Sequence, residues 1–541
     1  MNYTQAWLED PTSIRGILVE VTVKDVLGTY GTAGDETVIY LSNIGYITAD
    51  SLTSYKPYLT GVLQTTESLS VSGGLSMSFG DIQIANPNGD LDSWLDSSKF
   101  IWVNRPIQIY LGDPRWVLDD LAAVHNTGLA GFGKIFDGVV ADIDSSSREV
   151  LNLKVRDKLQ RLNVPLTDNK LGTYGTWGSG QTNQDTIRPL VFGEVFNISP
   201  ILVDPSLLKY MFNDTTSGTS SSNLVIEIRD NGVPIYTDAS IYTNSATRPD
   251  GAIIDLNAST FTLKAPPAGT ITASIQGLKR SVFLNTGAFV EGTYVNNIAN
   301  LIALIVTQYG TATTRLTLSD LDLLNLSTFS VNNTQAVGMP IFDRSNVLTV
   351  CQQLADSANA QLFINRLGKL QLLQIGVTTF DPYVTIIDDN ILHHSLRISA
   401  RTEVIAATKV GYCKNYTPQT ALASSLPATH NVMYNEEWYS TTVIDTDVQA
   451  AYKLDVSPVQ KDTNILGGID ATALATTSNN YFKVPRTTYS FTGTSKLLSL
   501  HLGQQVTLKH NRFGLSSGKV GQVISLSPNW LAGTINVEVI I

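Results

Sequence analysis

One short polar segment holds the residues with the clearest metal-binding chemistry. Asn86, Asn88, Asp90 and Asp92 alternate along the chain, and their side-chain oxygens are of the kind that Ca²⁺ prefers. The segment lacks the glutamate that closes an EF-hand loop, whereas Asn-Pro-Asn-Gly is a typical turn sequence. The sequence therefore favours a hydrogen-bonded turn ahead of a short helix, with a calcium loop as the alternative.

Histidine supplies the next candidates. His393 and His394 could form a pair of metal ligands, but neighbours on a strand point to opposite faces, and no acidic or cysteine partner lies at a metal-binding spacing. His501 and His510 lie in a β-rich C-terminal run, where a structural histidine is the default interpretation. We therefore predict no metal site at these residues.

Adjacent acidic residues occur at Asp119-Asp120, Asp388-Asp389 and Glu436-Glu437. Adjacent carboxylates do not form the opposed pair, one on each side of a substrate, that glycoside hydrolysis requires. Trp438 and Tyr439 could stack on a sugar, although a solvated loop is the favoured interpretation. Gly-x-Ser-x-Gly is absent from the sequence, and the Gly-rich run 175–180 is a polar loop. We predict no catalytic residue, no cofactor-binding residue and no metal ligand, and hence no enzyme.

Composition limits the class of protein further. The 541 residues are 43% apolar and only 15% charged, which indicates a packed chain of about three or four domains. The net charge of −11 argues against a nucleic-acid-binding surface, because phosphate neutralisation needs clustered Lys and Arg. Cys351 and Cys413 are too few and too far apart for a disulfide framework or a metal motif.

Neither a signal peptide nor a long apolar run is visible in the sequence. Met1-Asn2-Tyr3 does not begin a charged segment followed by an apolar one, and no stretch reaches the ~18 apolar residues of a transmembrane helix. We expect the protein to be made in the cytoplasm and to have no membrane-spanning segment.

The N-terminal part has the two-residue period of β-strands. In residues 14–24, Ile17, Val19, Val21 and Val23 alternate with Leu18 and three polar residues. Further strands are predicted at 105–111, 134–140 and 150–156. A small closed antiparallel barrel over residues 14–165 would leave no exposed strand edges.

The middle of the chain changes period. Residues 166–189 form a polar linker, and 190–280 form a small β domain with an Asp230-Asn231-Gly232 hairpin. Apolar residues recur every three or four positions over 293–309 and again over 347–358, where Ser345 is the candidate N-cap. Residues 290–380 are therefore predicted to be an α+β domain. The densest apolar run, 188–212, is either a crossing between domains or an ordinary core segment.

The C-terminal part, 395–541, is predicted to be a second small barrel. A strand is expected at 403–412, an irregular region at 438–461, a helix at 469–480 and a closing set of strands from Arg486 onwards. The predicted fold class is mainly β with an α+β middle: two small antiparallel β-barrels, N- and C-terminal, that flank a β domain and a helix-containing domain.

Several strings of residues resemble one family. The strings are RPLVFGEVFNISPILVD at 188–204, GMPIFD at 338–343, RLGKL at 366–370 and LGQQVTLKHNRFGL at 502–515. They resemble the tail hub, or tail-tip (baseplate hub), proteins of long-tailed bacteriophages. The resemblance runs from about residue 15 to the end of the chain.

The resemblance implies a structural virion protein at the tail tip. Such a protein is a trimeric hub that joins the sixfold tail tube or distal tail ring to threefold tip, fibre or spike components, because two barrels in each of three copies present six barrel-like units. It implies a homotrimer, contacts with a distal tail or tail tube protein and possible contact with the tape measure protein. Genome DNA would pass through its channel without specific binding, and an acidic or neutral wall would suit that passage.

A second function stays open at this point. The chain could instead be a receptor- or carbohydrate-binding tail-tip module. In that case Trp438, Tyr439 and the loop 213–223 are the expected contacts.

Overall fold

The computed structural model describes residues 5–10, 12–48, 52–60, 64–71, 79–114, 132–173, 184–214, 221–242, 244–284, 286–376 and 384–541. Strands dominate the described residues. The first ten are β1 (Gly16–Asp25), β2 (Glu36–Ser42), β3 (Tyr46–Ile47), β4 (Ser54–Tyr55), β5 (Gln64–Ser68), β6 (Phe79–Ala85), β7 (Phe100–Ile101), β8 (Pro106–Gly112), β9 (Phe132–Ser147) and β10 (Val150–Arg156).

The middle of the chain contributes twelve strands. They are β11 (Leu190–Ile198), β12 (Ile201–Asp204), β13 (Lys209–Met211), β14 (Ser222–Asp230), β15 (Val233–Thr237), β16 (Ala252–Asp255), β17 (Thr260–Leu263), β18 (Ile271–Leu278), β19 (Arg280–Phe283), β20 (Ala288–Glu291), β21 (Gly338–Ile341) and β22 (Ala360–Ile364).

The remaining strands are β23 (Leu370–Gln374), β24 (Val384–Ile386), β25 (Arg397–Arg401), β26 (Ala407–Tyr412), β27 (Tyr439–Ile444), β28 (Gln460–Asp462), β29 (Thr487–Gly493), β30 (Gln505–Leu508), β31 (Lys519–Asn529) and β32 (Thr534–Ile540). The α-helices of the described part are α1 (Gln5–Glu9), α2 (Ile298–Gln308), α3 (Leu323–Asn332), α4 (Val347–Asp356), α5 (Ala428–Asn435), α6 (Thr446–Tyr452) and α7 (Gly468–Phe482). The mainly β class with helices in the middle is therefore confirmed.

The chain divides into two compact units. Unit 1 consists of residues 1–161, 361–402 and 486–541, and unit 2 consists of residues 162–360 and 403–485. Unit 1 thus collects strands from the N-terminal and C-terminal parts of the sequence.

A fourteen-stranded sheet is the main feature of unit 1. Its strands follow the order β2-β1-β8-β9-β10-β6-β5-β31-β32-β29-β25, with β7 beside β1 and with β30 joining β24 to β31. Val19 of β1 and Val537 of β32 are fully buried in the same hydrophobic core. The antiparallel pairing of β5 with β31 is what joins the two ends of the chain in one sheet.

The alternation predicted for the first strand is confirmed. Ile17, Val19, Val21 and Val23 are at most 1% exposed, while Glu20 and the next polar positions are half-buried. Each buried aliphatic side chain stabilises the fold by about 1.5–3 kcal/mol. One face of β1 is therefore a large contributor to the core of unit 1.

The strand pairing of the described residues does not itself form a closed barrel, so the two-barrel detail is not confirmed. Two short segments nevertheless bridge strands that the sheet order leaves apart. Residues 56–60 form backbone hydrogen bonds with β2 at Ser42 and with β6 at Gln83. Residues 390–392, which follow β24, form backbone hydrogen bonds with Thr492 of β29 and with Thr494.

Unit 2 contains several smaller sheets. A five-stranded sheet has the order β15-β14-β18-β11-β21, a four-stranded sheet the order β12-β13-β17-β16, and a three-stranded sheet the order β27-β26-β28. The predicted hairpin after β14 is confirmed, since Asn231 and Gly232 have φ of 50° and 84°, as a type I′ turn requires. The apolar run 188–212 supplies β11 to the five-stranded sheet and is a core segment of unit 2.

Side-chain caps set the helix boundaries. The helix predicted from residue 293 begins only at Ile298, because the Asn297 side chain accepts a hydrogen bond from the Ala299 N–H. The second helix is capped by Asn346 and not by Ser345. The helix at 469–480 is confirmed as α7. The prediction of an irregular region at 438–461 is wrong, because β27 and α6 occupy most of it.

None of the helices in the described part of the chain is both long enough and apolar enough to span a membrane.

Candidate functional site

A buried arginine lies at the centre of the polar contacts in unit 1. Arg366 follows β22 and lies in the hairpin turn to β23, within one of the strings that resemble the tail hub family. It is only 2% exposed. Its guanidinium Nη2 donates hydrogen bonds to the carbonyl oxygens of Leu498, at 3.3 Å, and Leu500, at 3.0 Å. Its guanidinium carbon lies 5.4 Å from the ring centre of buried Trp530.

A buried carboxylate compensates the charge of Arg366. The Glu67 Oε1 atom, on β5, accepts a hydrogen bond of 2.7 Å from the Arg366 backbone N–H. Burial raises the pKa of the Glu67 carboxyl, and the charge and N–H of Arg366 act in the opposite direction. Both side chains are inaccessible to solvent, so the charge of Arg366 favours the ionised form of Glu67 while burial opposes it.

The backbone of Arg366 reaches a third strand. Its carbonyl oxygen accepts a hydrogen bond from the Asp137 N–H on β9, and the Asp137 carboxylate lies 3.0 Å from Lys158 Nζ and 3.1 Å from Lys134 Nζ. We call Glu67, Asp137, Lys158, Arg366 and Trp530 the Arg366 cluster. The cluster connects β5, β9 and the β22–β23 turn with two turns near the C-terminus. One contains Leu498 and Leu500 and lies between β29 and β30, and the other contains Trp530 and lies between β31 and β32.

A comparable polar cluster lies within unit 2. The two oxygens of Glu227 accept hydrogen bonds of 2.8 and 2.9 Å from Arg229, and Oε1 also accepts one of 2.5 Å from the Tyr434 hydroxyl. The Arg229 guanidinium lies 4.3 Å from the centre of the Tyr434 ring. Burial, together with the charge of Glu227, raises the pKa of the Tyr434 phenol. The phenol is therefore neutral and donates a hydrogen bond to the carboxylate, which attaches α5 to the five-stranded sheet.

A pocket with a mixed polar and apolar lining lies at the end of two parallel strands in unit 1. β24 and β30 pair in parallel, with Ile386 opposite Leu508, so the segments that follow them emerge at the same edge. These segments line a pocket of about 370 Å³, which we call the Asp388 pocket. Its lining residues are Ile387, Asp388, Asp389, Lys509, His510, Asn511 and Ser516.

His510 has both ring nitrogens engaged in this pocket. Nδ1 accepts a hydrogen bond from the Arg512 N–H at 3.1 Å, and Nε2 lies 3.5 Å from Oδ1 of Asp388. The arrangement therefore fixes the orientation of the imidazole.

His393 and His394 do not have the strand geometry that the sequence predicts for them. The two residues lie in an exposed turn and not on a strand, and His394 has a left-handed φ of 62°. The turn brings the two rings to a centroid separation of 3.7 Å, so they do not point to opposite faces. Within the described residues, no group of three or more His, Cys, Asp or Glu side chains is placed to hold a metal ion.

The segment 86–92 forms the turn that the sequence favours. The Asn86 side chain accepts a hydrogen bond from the Leu91 N–H at 2.7 Å and donates to Asp92 Oδ1 at 2.8 Å. Short 3₁₀ turns follow at Pro87–Gly89 and Asp92–Leu95. The Asn86 amide thus takes up a carboxylate oxygen that a calcium ion would need.

Glu436 and Glu437 are exposed side by side, as expected for a loop. Glu437 lies 3.5 Å from the ammonium of Lys414, which in turn lies 5.0 Å from the ring centre of Trp438. Tyr439 stacks against Tyr412 at 5.9 Å. The aromatic faces proposed as sugar contacts are therefore partly covered by the protein's own side chains.

Three other features from the sequence can be placed only in part. Asp119-Asp120 and the Gly-rich run 175–180 lie outside the described residues, as do residues 215–220 of the 213–223 loop.

Cys351 is buried, and Cys413 is half-buried. Burial and the charge of Glu194 raise the pKa of the Cys413 thiol to about 11, so this cysteine is not a reactive nucleophile at neutral pH.

Sequence reasoning missed the Arg366 cluster and the Asp388 pocket. Glu67 and Arg366 are 299 positions apart. Asp388 and His510 are brought together only by the parallel pairing of β24 with β30. The available signal for the Arg366 cluster was Glu67, an isolated acidic residue in a strand-like run. This signal does not identify Arg366 as the partner.

Comparison with known proteins gives similar structures but no sequence family. No family model and no curated protein sequence matches this chain. Among solved structures, the prophage MuSo2 43 kDa tail protein from Shewanella oneidensis is 9% identical, with 97% of this chain and 98% of that chain covered at a TM-score of 0.37. Prophage tail protein gp18 from Listeria monocytogenes EGD-e is 8% identical, with 96% and 94% covered at 0.35.

A chain in the virion of a native gene transfer agent particle is also similar. It is 11% identical, with 71% of this chain and 91% of that chain covered at a TM-score of 0.40. These neighbours are described as tail proteins or as part of a virion. At TM-scores below 0.5, the superpositions do not establish a common fold with this chain.

Proposed function

We propose that this chain is a structural protein of a bacteriophage tail, located in the virion at the tail tip. The observation that carries the proposal is the set of separate strings, from 188–204 to 502–515, that resemble the tail hub family and that fall in both units of the structure. Two of these strings contain buried parts of the structure. The string 188–204 contains the buried strand β11, and the string 366–370 contains the buried Arg366.

The finer proposal is a homotrimeric hub with two small barrels in each chain. The N-terminal barrel would comprise 14–165 and the C-terminal barrel 395–541, with the linker 166–189, the β domain 190–280 and the α+β domain 290–380 between them. The hydrogen bonds of residues 56–60 with both β2 and β6 support closure of the first barrel. Those of residues 390–392 and Thr494 support closure of the second.

Three such chains would present six barrel-like units to a sixfold tail tube or distal tail ring. On the other side, the trimer would carry threefold tip, fibre or spike proteins, with the tape measure protein as a further possible partner. DNA would pass through the central channel without being bound, which the net charge of −11 supports. The proposed role requires no catalytic residue, and the engaged nitrogens of His510 support a non-enzymatic role at that site.

Measurement of mass in solution tests the oligomeric state. A homotrimer of the 58.7 kDa chain has a mass of about 176 kDa by light scattering or mass photometry. A stable monomer at micromolar concentration would contradict the hub. Electron microscopy of virions that carry a tag on this chain tests the location, because a hub gives density at the lower end of the tail tube and at no other place.

A further inference from the structure

We propose that the Asp388 pocket binds a saccharide residue. This inference goes beyond the proposed tail role and does not depend on it. It differs from the glycan contact considered at Trp438 and Tyr439, because it concerns another unit and another set of side chains.

The polar groups of the pocket suit a neutral polyhydroxyl ligand. Asp388 and Asp389 offer hydrogen-bond acceptors, Lys509 offers donors, and Asn511 and Ser516 offer both. An apolar ligand would leave these groups without partners, which costs binding free energy. An anion would face two carboxylates, and a cation would face the Lys509 ammonium. Neighbouring sugar hydroxyls both donate and accept, so they match this mixed lining.

The size of the pocket fits a small ligand. Its volume of about 370 Å³ lies at the lower end of the roughly 300–1,000 Å³ that is typical of small-molecule sites. The Asp388 side chain is 53% exposed, so a ligand can reach the carboxylate from solvent. The site is therefore suited to one end of a glycan and not to an extended polymer.

The backbone holds the lining in place before any ligand arrives. The Ile387 N–H donates to the Asn390 side chain at 3.0 Å, and the Lys509 N–H donates to the Ile386 carbonyl at 2.9 Å. His510 is fixed by the Arg512 N–H, as described above. A lining that is ordered in advance reduces the entropic cost of binding.

An exposed aromatic residue on the same loop is the second observation. Phe513 lies between the lining residues Asn511 and Ser516, has a left-handed φ of 57° and is 36% exposed. A left-handed conformation costs an aromatic residue roughly 1–2 kcal/mol, and local strain of this kind is concentrated at binding sites. The Arg512 guanidinium lies 4.6 Å from the Phe513 ring centre. The centre of the Tyr489 ring lies 6.1 Å from that of the Phe513 ring, and the part of Phe513 that Tyr489 and Arg512 leave uncovered offers an apolar surface on which the C–H face of a pyranose can pack.

The test measures sugar binding by the full-length protein. Saturation-transfer NMR with glucose, galactose, N-acetylglucosamine and rhamnose, together with an immobilised glycan array, identifies a bound saccharide. We expect at least one saccharide to bind, and we expect Asp388→Asn and Phe513→Ala each to weaken its affinity at least tenfold. The control Asp142→Asn, which changes an exposed carboxylate on β9, should leave the affinity within twofold of the wild-type value.

Ser516→Ala is a second variant with little risk to folding, because it removes one exposed hydroxyl. We expect it to weaken the same saccharide severalfold while the circular dichroism spectrum stays unchanged. The proposal is overturned if no saccharide binds, if binding is unaffected by all three pocket substitutions, or if the pocket prefers a simple amine to every sugar. Failure of this proposal would leave the mass and tail location of the protein unchanged, so the two proposals can be judged separately.

Discussion

Replacing Arg366 by methionine should destabilise unit 1 more than any exposed substitution in it. The change keeps an unbranched side chain beside Trp530 but removes the guanidinium that donates to the Leu498 and Leu500 carbonyl oxygens. It also removes the positive charge that lowers the pKa of the Glu67 carboxyl, which is only 3% exposed and whose pKa is raised by burial. The backbone N–H of residue 366 still reaches Glu67, so one of its hydrogen bonds survives.

The size of the effect follows from the burial of both charges. Removing one partner of a buried ion pair costs about 3–5 kcal/mol. This range is an upper bound here, because Glu67 is bonded to the Arg366 backbone N–H and interacts with the guanidinium only as a nearby charge. Two guanidinium nitrogens of Arg366, Nε and Nη1, have no hydrogen-bond partner among the described residues, so their removal relieves part of the cost. We therefore expect the free energy of unfolding of unit 1 to fall by about 3 kcal/mol, at the lower end of that range.

Guanidinium chloride unfolding followed by tryptophan fluorescence measures this loss. Trp7, Trp94, Trp102 and Trp530 are buried in unit 1, so the emission reports mainly on that unit. Hydrogen exchange followed by mass spectrometry should show faster exchange in β5 and in the 498–500 turn. The two units can unfold separately, so the transition assigned to unit 1 is the one to compare.

Two further variants make the result decisive. Arg397→Met removes an exposed arginine from the edge strand β25 and should change the free energy by less than about 0.5 kcal/mol. The double variant Glu67→Gln/Arg366→Met should recover roughly 1–2 kcal/mol relative to Arg366→Met, since no uncompensated charge remains. A loss below about 1 kcal/mol in the single variant, or a double variant as unstable as the sum of the two singles, would refute this account of the cluster.

Three other predictions concern unit 2. Gly338→Ala should abolish soluble expression, because a Cβ atom at this position would overlap the Glu194 carbonyl oxygen of the paired strand β11. Soluble Gly338→Ala protein with an unchanged circular dichroism spectrum would contradict this prediction. Tyr434→Phe should lower the free energy of unfolding by about 1–3 kcal/mol, since its half-buried carboxylate partner Glu227 loses one hydrogen-bond donor, and an unchanged urea midpoint would contradict this. In a Cys351→Ala background, alkylation of Cys413 should have a midpoint near pH 11. The neutral thiol should stabilise the fold below its ordinary pKa of about 8.5, an effect lost as pH rises towards 11, and a midpoint near 8.5 would show that the thiol is not buried.

Local patterns predicted those parts of the fold that depend on near neighbours. The alternation of Val19, Val21 and Val23 gave the buried face of β1, and Asn231-Gly232 gave the hairpin between β14 and β15. The apolar stripe of α2 was visible, although its first residue was displaced by the Asn297 cap. These features follow from side-chain periodicity and turn conformation, both of which act over a few residues.

Two predictions from residue types were wrong because the backbone conformation differed from the one predicted. Strand alternation would place His393 and His394 on opposite faces, but a left-handed turn places their rings together. The run 438–461 lacked a strong period, yet β27 pairs with β26 and α6 begins at the Asp445 cap. In both cases a local hydrogen bond or turn determined the conformation, and average composition did not reveal it.

By itself, the sequence determined the mainly β class, the position of the longer helices, the acidic and weakly charged surface and the resemblance to tail hub proteins. Only the tertiary structure decided that β5 pairs with β31, that Glu67 meets Arg366 and that Asp388 meets His510. The physical reason is range: strand pairing between residues hundreds of positions apart depends on which edges and apolar faces meet when the whole chain packs. The periodicity of any single segment does not contain that information.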